Sequence, residues 1–76
     1  MGINMITLSD KWGPYLVSQG ETGMGYQIAS IFLKDGRKFD QAVIVGDTIA
    51  EIRGYDNIPF SENEIEKIVV THDKWK

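Results

Sequence analysis

The chain has 76 residues, no cysteine, one histidine and a formal net charge of −3, with 8 Lys and Arg against 11 Asp and Glu. That length makes one domain, residues 1–76, which buries about 60% of the surface its unfolded chain exposes, so its stability margin is thin. Disulfides and thiolate metal ligands are excluded, the scattered cations form no cluster for nucleic acid, and no apolar run approaches the ~20 residues of a membrane-spanning helix.

The first residues, "MGINMITLSD", have neither the basic nor the apolar region of a secretory signal. Ile6 stands where a myristoylation signal needs Ser or Thr. A soluble cytoplasmic protein is expected. Residues 1–11 read as an extra strand, centred on "MITL" at 5–8, or as a loosely ordered arm. "PYLVSQ" at 14–19 reads as a short first strand, and "GETGMG" at 20–25 as the loop that follows it. Two further strands, at 26–33 and 38–45, flank Asp35-Gly36, a favoured pair for a two-residue type I′ turn. Gly46-Asp47 makes a second tight turn into a strand at 48–53, and a loop covers 54–59. "SENE" at 61–64 has the capping-box pattern: Ser61 caps a backbone N–H while Glu64 reaches back. The β-branched stretch after it limits that box to one helical turn before a final strand.

This order predicts a mainly β fold: a five-stranded antiparallel SH3-like barrel with one helical turn before the last strand. An open antiparallel meander or a small sandwich is the alternative. Such topology says nothing of activity.

The glycine loop is the first candidate site, and it fails as a nucleotide site. It lacks the Lys-Ser/Thr ending of a phosphate loop and the G-x-G-x-x-G spacing of a dinucleotide fold. A strand follows it rather than a helix N-terminus, and Glu21 repels anions. Its glycines are expected to supply positive φ, with Met24 and Tyr26 available to touch a partner. His72 and Asp73 are adjacent on a strand and point to opposite faces, so they form no oriented pair; a solvent-facing histidine is expected. No serine lies in a nucleophile-elbow pattern. Glu62, Glu64 and Glu66 read as capping and solvated groups. Phe32, Phe39 and Phe60 read as core. Trp12, Tyr15, Tyr26, Tyr55 and Trp75 fall at strand ends and loops, where they cover the ends of a small core or form a contact patch.

Gly23-Met24-Gly25-Tyr26, the run from Leu33 through Asp35-Gly36-Arg37 to Phe39, Ile58-Pro59-Phe60, and Val70 through His72 to Trp75 together carry a resemblance. Across residues 12–75 the chain resembles a group of short uncharacterised bacterial proteins that combine a "GMGY" stretch, a "DGR" hairpin and an "IPF" turn. No activity, cofactor or catalytic residue is known for that group, so the resemblance implies none.

The expected function is non-catalytic: a small β-barrel acting by protein contact, as a homodimer or with another bacterial protein, with no cofactor and no nucleic-acid, membrane or nucleotide partner. The rivals are a metal-dependent enzyme using His72 with Asp56 or Asp73, and a nucleic-acid-binding barrel. Counting outward from a two-residue turn puts Phe32 opposite Phe39, Ser30 opposite Gln41 and Ile28 opposite Val43 on the core face. Ile31, Leu33 and Ile44 then lie on the second face. They are apolar where a solvated face would be polar, and are the expected dimer interface unless residues 5–8 cover them.

Overall fold

The computed structural model describes residues 5–73; expectations for Trp75 and for the first four residues of the arm fall outside them. Among the described residues, five antiparallel strands form one sheet: β1 (Ile6–Thr7), β2 (Gln27–Leu33), β3 (Lys38–Val45), β4 (Thr48–Ile52) and β5 (Ile65–Val70), in the order β1-β4-β3-β2-β5. The sheet curls into a half-barrel, a small barrel-like β fold with a single short helix. The expected strand at 5–8 is β1, paired to β4 through Ile6 and Ile49. The expected helical turn before the last strand is a 3₁₀ turn, Glu62–Glu64.

Residues 14–19 are not a strand. Residues 14–18 lie in helix α1 (Gly13–Ser18), which continues a 3₁₀ turn at Asp10–Trp12, and Gln19 caps its end. Pro14 sits in the first turn, where its fixed φ suits a helix and its missing N–H costs nothing. Gly20, at φ 71°, ends the helix just past its last turn. Within α1 only Leu16 is buried, while Val17 is 83% exposed.

The β2–β3 hairpin occupies the expected residues, but its turn is different. Gly36 N–H donates to the Leu33 carbonyl at 3.0 Å and Leu33 N–H to the Arg37 carbonyl at 2.9 Å. Gly36 alone in this turn has positive φ, 99°. This is a three-residue loop closed by a left-handed glycine, not a two-residue type I′ turn. Asp35 serves as an acceptor instead: the Arg37 backbone N–H and then its guanidinium hold the Asp35 carboxyl below its usual range.

The extra turn residue shifts the register, placing Ile31 opposite Phe39 and Phe32 opposite Lys38. A bulge opposite Ser30, with Gln41 at φ 56°, then restores the expected pair Ile28–Val43, with Ala29 opposite Ala42 and Gln27 opposite Ile44 on either side. The faces of β2, and those of β3 beyond the bulge, are therefore reversed from the expectation, while Phe39 keeps its expected place in the core. Ile31 and Ile44 are 0% exposed and Leu33 3%, all in the main core with Phe39, Ala42, Ile49 and Ile65. They are not a dimer interface. Phe32 is not in that core; it lies half-buried on the outer face, with the Lys38 and Lys67 ammonium groups 5.4 and 4.9 Å from its ring centre.

The concave face is closed by Leu8, Leu16, Ile58 and Phe60, with Trp12 and Tyr15 packed at its margin. Phe60 and Tyr55 each lie 5.2 Å from Phe39, ring centre to ring centre. The capping box does not form as expected. The Ser61 hydroxyl donates to Asn63 Oδ1 at 2.5 Å and Glu64 Oε2 at 3.3 Å, and no side chain caps the turn. Glu64 Oε1 is engaged by the Arg37 guanidinium at 3.1 Å.

Candidate functional site

Residues 20–26 join α1 to β2, not strand to strand. Their shape comes from a tight chain reversal in which Gly23 and Tyr26 bridge and Thr22 N–H donates to the Tyr26 carbonyl at 2.9 Å. Gly20 and Gly25 have positive φ, as expected of connecting glycines. Gly23 does not, and its role is space: a Cβ there would collide with the ring and hydroxyl of Tyr26. Met24, at the tip, is 98% exposed. Tyr26 is half-buried.

Two groups tie this loop down. Thr22 Oγ1 accepts the Ile28 N–H at 2.8 Å and lies 2.6 Å from His72 Nδ1. His72 Nε2 lies 3.1 Å from the Gln19 carbonyl, which only accepts, so Nε2 carries a proton there. The histidine is exposed, as expected, yet both ring nitrogens brace the loop. Among the described residues no three His, Asp or Glu side chains gather closely enough to hold a metal ion.

The second tie is Gln27, which sequence reasoning passed over. Its Nε2 donates to the Leu16 carbonyl at 2.7 Å and to the Gly20 carbonyl at 2.5 Å, satisfying acceptors that the end of a helix leaves open. Both partners can only accept, so the amide nitrogen must face them. Gln27 is 7% exposed. Its Oε1 receives no hydrogen bond from any described residue. Among those residues no side-chain oxygen sealed from solvent lacks a partner, so Oε1 must open outward. Gln27 also lines a cavity of about 280 Å³, together with Leu16, Val17, Glu21, Tyr26 and Ile44 and with glycines 20, 25 and 46. It adjoins a trough of about 440 Å³ that shares Leu16, Val17 and Gly46 and carries Asp10 and Asp47.

The segments that border this cavity carry exposed apolar side chains. Val17 lines the cavity, while Met24 and Val45, 98% and 48% exposed, each precede a glycine that lines it.

Glu62, expected to be a solvated cap, holds the N-terminal segment instead. Its Oε2 accepts from Ser9 Oγ at 2.6 Å, Ser9 N at 2.8 Å and Trp12 Nε1 at 3.1 Å. The Ser9 hydroxyl, then its backbone N–H, the indole and the Lys11 charge keep the Glu62 carboxyl below its usual range. Asp40 is lowered similarly, first by the Ser30 hydroxyl and then by the Lys38 charge.

Compared with known proteins, the chain matches no family model, no curated protein and no solved structure.

Proposed function

We propose that the protein is a non-catalytic binding module that works by contact with another protein chain, through the end of the half-barrel where α1 meets the glycine loop. The observation that carries this reading is the exposure of an apolar side chain on each of three segments that border one cavity: Val17 of α1, Met24 of the glycine loop and Val45 at the end of β3. Single exposed hydrophobes are ordinary, but three on the segments bordering one concavity favour a contact surface. The loop that presents Met24 is braced by His72, Thr22 and Gln27, so little ordering entropy is lost on contact. SH3-like barrels, the architecture expected from the sequence, similarly hold peptides in aromatic-lined grooves.

The test is a photo-crosslinking amino acid placed in the living cell at position 24 and, as control, at Glu51 on the far side of β4. A discrete adduct from position 24 alone, lost when Val17 is changed to Asp, is expected. Equal adducts from both positions, or none from position 24, would refute the assignment.

A further inference from the structure

The chemistry of the cavity restricts what the contacting chain inserts there; this step rests on the contact reading above. Gln27 has spent both N–H groups on the Leu16 and Gly20 carbonyls, so the only polar function it offers the cavity is an acceptor. An occupant must therefore donate. Glu21 also lines the space, Asp10 and Asp47 line the adjoining trough, and the chain carries a net charge of −3. The favoured donor is thus a cation. The remaining walls are Leu16, Val17, Ile44 and the Tyr26 ring, which suit methylenes and an aromatic contact with the charge. At about 280 Å³ the cavity falls just below the usual range for drug-sized ligands, and fits one long side chain.

We propose that this cavity receives a lysine side chain of the contacting protein, its ammonium donating to Gln27 Oε1 and facing the Glu21 carboxylate. Lysine is preferred over arginine because the acceptors belong to two different residues, Gln27 and Glu21. A compact ammonium can aim its three donors at them independently, whereas the planar guanidinium fork is best matched by a single bidentate group.

The test titrates isotope-labelled full-length protein with Nα-acetyl-lysine N-methylamide and with the norleucine counterpart, which keeps the methylenes and lacks the ammonium. The lysine probe is expected to shift the Gln27 side-chain amide and the Gly25 and Gly46 backbone amides saturably, and to bind at least ~10-fold more tightly than norleucine. Gln27→Leu also frees the end of α1 and can unfold the protein, so the exposed Glu21 carries the mutational arm. Glu21→Gln should weaken the lysine probe several-fold and leave norleucine unchanged. Equal binding of the two probes, or no saturable shift at those amides, would overturn the proposal. If position 24 still crosslinks in that case, the lysine pocket is wrong and the contact surface stands; loss of both removes the underlying reading.

Discussion

The reversed faces of the β2–β3 hairpin make a ranking that a pair of substitutions can test. Ile31 is 0% exposed, opposite Phe39 and beside Ile68 of β5, at the centre of the core. Truncating a buried isoleucine to alanine costs about 2–5 kcal/mol, because the transfer energy is lost and a cavity remains. Phe32 is larger, but it is half-buried on the outer face beneath the ammonium groups of Lys38 and Lys67. Its truncation removes only part of a side-chain burial worth about 1.5–3 kcal/mol when complete, plus weak cation–ring contacts. Ile31→Ala should therefore destabilise more than Phe32→Ala. The whole fold is worth only about 4–11 kcal/mol at the usual stability per residue, so Ile31→Ala threatens to unfold the chain. Ile31→Val, at about 0.5–1.5 kcal/mol, keeps the comparison measurable. Urea denaturation followed by circular dichroism reads all three. A Phe32→Ala variant costing more than Ile31→Ala would restore the register of a two-residue turn and refute the reversal.

Gly36→Val should cost more than about 1 kcal/mol by the same assay, since φ at Gly36 is 99° and a β-branched residue resists that region; a neutral result would contradict the turn. Glu62 has a folded-state value below its ordinary 4.5, so its stabilisation is complete above that value and is lost as pH falls through the folded one. Glu62→Gln should accordingly lower the urea midpoint at neutral pH and match wild type in acid, while the Trp12 indole N–H resonance of wild type follows the titration; a pH-independent gap would refute this. Gly23→Ala should destabilise by collision with the Tyr26 ring, and Tyr26→Ala should relieve most of that loss in a double-mutant cycle. Additive losses would mean that the ring does not occupy that place. Millimolar ATP, GTP or NAD should leave the melting temperature unchanged, and an upward shift would restore a nucleotide site.

What could be read in advance depended on how local the determinant was. The strands around Asp35-Gly36 and the 3₁₀ turn before β5 follow from short-range β-branched and turn chemistry, and they stand where the sequence puts them. Helix α1 was missed because Tyr15-Leu16-Val17 is apolar without a period, too short to separate helix from strand. The better signal was the bracket around it, Pro14 inside the start and Gly20 past the end. The face reversal was not legible, since six of the seven residues of β2 are buried and both parities look like a core. The extra turn residue decides it for β2 and the bulge at Gln41 for the rest of β3, one residue being enough to invert a face. The candidate site divides similarly. Met24 was visible as an apolar loop residue. Gln27 was not, because its importance depends on the Leu16 and Gly20 carbonyls meeting it in space; a lone amide opening an apolar strand was the one hint.

The central claim, a contact surface at the α1 end, is tested most directly by the apparent mass of the protein in unfractionated cell extract. The comparison is wild type against a variant with Val17, Met24 and Val45 all changed to Ser. These side chains are exposed, so the variant should melt like wild type. The account predicts that wild type runs well above monomer mass and the variant at it. Two proteins that melt alike and run alike would contradict the claim.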